Sequence, residues 1–156
     1  MRRRTGGAAA VVLMLALAQP AAAGVADAVA FGGGDTRAGC ITVMGASNAA
    51  TGRMRWVLAF WPSTAASSPA GTCPEDEPHT EPTVSCTAVA TVDGRRVLYL
   101  GASDRTGSYA ATLIDGGPGT GDEAGFESVS SLAGSRCGAD AVATDPIVSG
   151  DIAILP

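Results

Sequence analysis

The chain has 156 residues, of which 46% are hydrophobic and 4% aromatic, and it carries ten arginines, no lysine and fifteen acidic residues for a net charge of −5. This length is typical of one domain. The acidic balance without a basic patch argues against nucleic acid and anionic membranes as partners.

Residues 1–23 have the pattern of a secretory signal peptide. Arginines at positions 2–4 precede an apolar run over residues 8–18, and small residues follow it. This run is too short to cross a bilayer, and no later segment approaches the roughly 20 apolar residues of a membrane helix. We expect cleavage within Ala23–Ala28, first of all after Ala23.

The expected mature domain, residues 24–156, is secreted to the extracellular space. Without the leader it keeps seven arginines against fifteen acidic residues, a net charge of −8. Its even number of cysteines predicts two structural disulfides, with all three connectivities left open. A metal site is not indicated, because there is no C-x-x-C pair and only one histidine. The cysteines are Cys40, Cys73, Cys86 and Cys137.

Short strands separated by turns are the dominant pattern. After an apolar lead-in that ends in Gly32–Gly34, strands are predicted over residues 40–44, 53–61, 84–92, 96–102, 108–115, 125–132 and 147–155. In the strand 53–61, alternation predicts one covered face, with Met54, Trp56, Leu58 and Phe60, and one partly covered face. Asp93-Gly94 predicts a two-residue hairpin turn.

The segment 62–82 is predicted to be a long loop, because its five prolines cannot donate to a sheet. We expect Cys73 to pin this loop to the body of the domain. No stretch shows a sustained helical period with a cap and a stop. The sequence therefore predicts an all-β fold, a single-domain antiparallel β-barrel or sandwich of about seven to eight strands with disulfides.

The most distinctive segment is a glycine-rich loop with a carboxylate at each end. Such carboxylates can bind Ca²⁺ through their oxygens, although the spacing is not that of an EF-hand loop. The interpretation that we favour is a structural turn, in which the aspartates accept backbone N–H bonds and glycines take positive φ. Its residues are Asp115, Gly116, Gly117, Pro118, Gly119 and Asp122.

No catalytic residue and no cofactor is predicted. His79 is the only histidine, and the chain has no G-x-S-x-G motif. The acidic pairs Glu75–Glu77 and Glu123–Glu127 could run glycoside hydrolysis only if the fold brought suitable carboxylates together. Trp56 is predicted to lie in the core, whereas Trp61 is either packed or exposed for contact with a sugar or a partner.

Five further segments form a recognisable series: V-S-C at 84–86, V-L-Y-L-G at 97–101, D-G-G-P-G-T-G-D at 115–122, C-G at 137–138 and V-S-G-D-I-A-I at 148–154. Together they resemble a family of small β-domains in secreted proteins of actinobacterial type. The family's central loop reads D-x-G-x-P-G-x-x-D and its last strand reads G-N-I-x-V. Here Gly117 stands where Glu or Pro is common, and Asp151 where Asn is usual. The resemblance implies an antiparallel β-barrel and no assigned activity.

A second segment, T-C-P-E-D-E-P-H-T-E-P-T-V-S-C at 72–86, resembles the first disulfide loop of the subtilisin-inhibitor family. This resemblance implies a protease inhibitor, but no C-x-x-Y-like loop precedes Cys137, so the downstream match fails. We rank it second.

The expected function is that of a secreted, non-enzymatic structural or interaction domain with an extracellular partner or small ligand. One alternative is a serine-protease inhibitor that acts through an exposed loop within 62–82. The other is a β-barrel that binds a small ligand or Ca²⁺, since eight-stranded barrels can hold one ligand.

Overall fold

The computed structural model describes residues 24–62, 73–74, 78–119 and 121–155. The expected signal peptide and most of the predicted loop 62–82 lie outside these residues. The elements are β1 (Ala28–Asp35), β2 (Gly39–Asn48), β3 (Arg53–Pro62), β4 (Thr83–Val92), β5 (Arg95–Ser103), β6 (Ser108–Asp115), β7 (Glu123–Val129), a 3₁₀ turn (Ala139–Ala141), β8 (Asp145–Pro146) and β9 (Ser149–Leu155).

The strands form two antiparallel sheets. The first sheet has the order β3-β2-β1-β9 and the second has the order β4-β5-β6-β7-β8. Short turns join β1 to β2, β2 to β3, β4 to β5 and β5 to β6. The turn at Asp93-Gly94 between β4 and β5 has positive φ at both residues, as a two-residue hairpin requires. The all-β antiparallel prediction is confirmed in its sandwich form.

The core lies between the two sheets. Alternate residues of each strand point into it, which is the pleat rule for a covered face. Phe60 and Phe126 extend the core at one end, with their ring centroids 4.7 Å apart. The largest fully buried apolar side chains are Ile41, Val43, Leu58, Leu98, Leu100, Leu113 and Ile152.

The two sheets are not closed into a barrel, so that form of the prediction was wrong. On one side β3 does not pair with β4; instead Phe60 bridges Thr80, and Val25 bridges Thr87. On the other side the outward N–H groups of β9 are taken by carboxylates rather than by a strand. At both places where the two sheets meet, the contacts are isolated, whereas a closed barrel needs a continuous ladder of backbone hydrogen bonds between neighbouring strands.

The outer face of the second sheet is covered by the segment 130–144, which we call the roof. Val97 and Tyr99 of β5 pack under it against Ala139, while Leu98 and Leu100 of the same strand face the core. Strand β5 is therefore buried on both faces. The disulfide Cys86–Cys137, the roof disulfide, ties the roof to β4.

Several element bounds differ from the prediction. The glycine triplet does not end the lead-in, because β1 runs through it to Asp35. Glycine is required at Gly32, where φ is 127° and an added Cβ would lie 2.1 Å from the carbonyl oxygen of Asp151. The last strand was predicted over residues 147–155, but β9 starts at Ser149, and the short strand β8 (Asp145–Pro146) precedes it.

Candidate functional site

The glycine-rich loop joins the second sheet to the edge of the first. Asp122 accepts hydrogen bonds from the backbone N–H of Gly116 at 2.9 Å and of Ile152 at 2.7 Å. Asp115 accepts from the N–H of Gly117 and of Ile154, both at 2.8 Å. Each of the four carboxylate oxygens thus holds one backbone donor.

These bonds define the role of the loop in the fold. Ile152 and Ile154 belong to the edge strand β9, whose outward N–H groups would otherwise be open to another strand. The carboxylates cap this edge. A cation at the loop would have to compete with four N–H donors, and within the described residues no group of three or more His, Cys, Asp or Glu is placed to hold a metal ion.

The disulfide Cys40–Cys73, the face disulfide, lies on the outer face of the first sheet. It forms a small buried cluster with Trp61, which is 5% exposed. Of the two alternatives predicted for Trp61, packed or exposed, the structure has the packed one. The ring of His79 stacks on Trp61 at 4.7 Å, and His79 Nε2 lies 2.6 Å from a carboxylate oxygen of Glu81.

The rest of that outer face is apolar and uncovered. Eight large hydrophobic side chains are exposed among the described residues, and five of them lie here, on all four strands. Met44 is 60% exposed, Val57 51% and Phe31 50%. The roof covers much of the outer face of the second sheet, so among the described residues the contiguous exposed apolar surface lies on the first sheet. We call it the apolar face; it consists of Val29, Phe31, Met44, Val57 and Leu155.

A depression of about 520 Å³ borders the apolar face. Its floor is the glycine triplet of β1, which places no side chain above the sheet, and its walls include Phe31, Met44 and Trp61. The depression therefore separates the apolar face from the face disulfide. Its shape comes from the same glycines that let β1 approach β9 closely.

Charged residues border the apolar face on two sides. Arg53 and Arg55 of β3 are exposed, point to this face, and make none of the ion pairs found among the described residues. Asp151 of β9 lines the depression on the opposite side. An apolar centre with a charged rim is the usual anatomy of a protein-binding surface.

The predicted acidic pairs do not form a catalytic constellation in the described residues. Glu123 receives a 2.6 Å hydrogen bond from Arg95 and another of the same length from the hydroxyl of Thr144. These contacts, first the Thr144 bond and then Arg95, hold the pKa of Glu123 below its usual value of 4.5. Glu127 lies four residues along β7 and is exposed. Glu75 and Glu77 lie outside the described residues.

Among the described residues, the cavity found between the two sheets is small. A cavity of about 10 Å³ lies between the sheets beside Ile41 and Phe60, enough for one water molecule. The inhibitor alternative depends on the loop 62–82, of which residues 63–72 and 75–77 lie outside the described part of the chain.

The sequence pattern did not predict that the residues of the apolar face form one continuous surface. The strand pattern of residues 53–61 correctly places Val57 on the less covered face. Phe31 and Met44 were assigned to no face, because the register that brings them beside Val57 is set by pairing across three strands. The apolar residues Val29 and Phe31, which alternate with Ala28 and Ala30, are a signal for a strand that is apolar on both sides.

The fold and the site together define a two-sheet antiparallel β-sandwich with two disulfides and one uncovered apolar face. Among the described residues no helix is long and apolar enough to cross a membrane. Comparison of the chain with protein-family models, with characterised proteins and with solved structures finds no match. The two resemblances seen in the sequence therefore stay expectations, and any functional argument depends on the geometry.

Proposed function

We propose that this protein is an exported, non-enzymatic interaction domain that binds another polypeptide through its apolar face. The observation that carries the proposal is the contrast between the two outer faces. One is covered by the chain's own roof, and the other exposes Phe31, Met44 and Val57 side by side. The largest contiguous apolar patch on the surface of a folded protein is often its binding site.

Export is supported by the leader-like residues 1–23 and by the two disulfides, which persist in oxidising compartments. The disulfides also stabilise the sandwich outside the cell, because they restrict the unfolded chain. The face disulfide holds Cys73, one of the described residues of the long loop, beside the depression.

The chemistry of the face indicates the kind of partner. Strands spaced ~4.8 Å apart and residues ~7 Å apart along each strand make the apolar face roughly 20 Å by 14 Å, or about 300 Å². This is the size of an interface core and not of a complete interface of about 800 Å² per partner. The exposed guanidinium groups of Arg53 and Arg55 favour carboxylates at the rim. The partner is therefore a polypeptide with apolar side chains flanked by acidic ones.

Site-specific photo-crosslinking in the producing cells tests this proposal. A benzophenone amino acid at position 44, in the apolar face, should give a defined crosslinked product. The same group at position 89, an exposed valine of the second sheet, serves as the matched control. The captured polypeptide, once purified, should bind the wild type at least ten times more tightly than the Phe31→Ser or Arg55→Glu variant, because both remove contacts from the face.

Two results would contradict the proposal. Equal products from positions 44 and 89 would show that the crosslinks do not report a specific surface. Unchanged affinity in both variants would show that the partner binds elsewhere. A product with twice the mass of the chain would identify the partner as a second copy.

A further inference from the structure

A second pocket lies on the other sheet, away from the apolar face. It has a volume of about 180 Å³ and lies between the outer face of the second sheet and the roof. Val97, Ile114 and Val142 supply apolar lining, and Thr112 and Arg136 supply polar groups. The pocket therefore offers an apolar wall and hydrogen-bond donors in one small space.

Thr112 is the unusual member of this lining. This residue is 6% exposed, and its hydroxyl is buried with no hydrogen-bond partner among the described residues. The register places it directly opposite Tyr99, on the face that the roof covers. Buried hydroxyl groups in folded proteins are nearly always bonded, so a buried, unpaired hydroxyl on a residue that lines a pocket is explained by a bonding partner that enters the pocket.

Arg136 lies at the same pocket with its donors available. Its guanidinium stacks over the ring of Tyr99 at 5.4 Å. Its Nε is 3.7 Å from a carboxylate oxygen of Asp140, too far for a hydrogen bond, and both side chains are about half exposed or more. The other arginine of the lining, Arg95, is already bonded to Glu123 at 2.6 Å. Arg136 is thus the cation that an incoming anion would meet.

We propose that this pocket binds a small organic carboxylate with a short apolar body. The carboxylate takes donors from Arg136 and Thr112, and the body packs on Val97, Ile114 and Val142. The volume of about 180 Å³ is far larger than the roughly 10–15 Å³ that one water molecule needs on the same measure, so the pocket has room for an acid the size of butyrate or benzoate. Inorganic phosphate fits less well, because it offers nothing to the apolar wall and carries more negative charge near Asp140.

The test measures binding of butyrate, benzoate, acetate, phosphate and sulfate to the oxidised protein at constant ionic strength, by calorimetry and amide chemical shifts. Butyrate and benzoate should saturate at millimolar concentration, acetate should bind more weakly, and the two inorganic anions should show no saturation. The largest shifts should fall in β5, β6 and the roof.

Variants separate this proposal from simple hydration of the pocket. Thr112→Val keeps the shape and removes the donor, and Arg136→Gln removes the cation; each should weaken binding at least ten-fold. Asp140→Asn should tighten it, because it removes the carboxylate that competes for Arg136. Arg105→Gln, at an exposed turn arginine, is the matched control and should change nothing.

Absence of saturation by any organic acid would overturn the proposal and leave water as the content of the pocket. Wild-type affinity in both Thr112→Val and Arg136→Gln, or tighter binding of phosphate than of butyrate, would also overturn it. Because the pocket and the apolar face lie on different sheets, none of these outcomes bears on the proposed polypeptide partner.

Discussion

Removal of the Asp122 carboxylate is the sharpest test of how the sandwich is held together at its β9 edge. Asp122 is 6% exposed and accepts the backbone N–H of Gly116 at 2.9 Å and of Ile152 at 2.7 Å. In Asp122→Ala both bonds are lost, and the N–H of Ile152 stays buried without an acceptor. Hydrogen bonds to a charged group contribute about 1.5–3 kcal/mol each.

We therefore expect Asp122→Ala to lower the free energy of unfolding by about 3–5 kcal/mol, a large part of the total stability of a typical domain. Asp115→Ala should cost less, about 1–2 kcal/mol, because its donors are partly buried and water can replace the lost acceptor. Asp151→Ala, at an exposed aspartate of the same edge strand, is the control and should stay within about 0.5 kcal/mol.

Urea unfolding of the oxidised protein, followed by tryptophan fluorescence, measures these differences. A loss for Asp122→Ala no larger than that for Asp151→Ala would refute the reasoning. A second experiment, with calcium added, tests whether the carboxylate oxygens of Asp115 and Asp122 bind a cation instead. If millimolar calcium raised the melting temperature of the wild type, and the Asp115→Ala/Asp122→Ala variant lost that rise, the loop would be a cation site.

Two further predictions concern the second sheet. Gly101→Ala should lower the free energy of unfolding by about 1–3 kcal/mol, because its Cβ would lie 3.0–3.1 Å from atoms of the roof disulfide, whereas Gly107→Ala, with no atom within 4 Å, should be neutral in the same urea assay. In Glu123→Gln, the free energy of unfolding should decrease less than in the wild type when the pH is lowered from neutral to acid. The bond from Thr144 and the charge of Arg95 lower the pKa of Glu123, so its contribution is present above the usual value of 4.5 and is lost as pH falls through the lowered pKa. Parallel pH profiles for the wild type and Glu123→Gln would contradict this.

The strand pattern could be predicted because it depends on local alternation. The pattern predicts a strand over residues 108–115, which are the bounds of β6, and the hairpin at Asp93-Gly94 follows from turn chemistry alone. The choice between barrel and sandwich depends on whether edge strands find each other across the fold. That depends on distant partners such as Thr80 for Phe60, which no local pattern reports.

In the glycine-rich loop, too, the local turn could be predicted from the sequence, whereas the contacts with distant residues could not. Its positive φ at Gly117 and Gly119 follows from composition, and the bond from Gly117 to Asp115 is a local turn. The second bond of each carboxylate reaches β9, more than 25 residues along the chain. Sequence could assign the turn, but it could not reveal that the turn caps an edge strand.

The roof was missed for a related reason. The segment between the predicted strands 125–132 and 147–155 was given no structural role, and the second covered face of β5 was not inferred. Yet the run Val97–Leu100 is continuously apolar, which is typical of a strand buried on both faces. The sequence of β5 therefore implies that some segment covers its outer face. Which segment this is follows only from the pairing of Cys86 with Cys137.

The contrast between the two sheets limits the explanations for the apolar face. Stability alone would be served by polar side chains at Phe31, Met44 and Val57, because half or more of each remains in water. Their apolar character in one contiguous band thus points to a contact outside the fold. Arg53 and Arg55 at the rim, which make none of the ion pairs found among the described residues, favour a polypeptide with acidic side chains as the occupant.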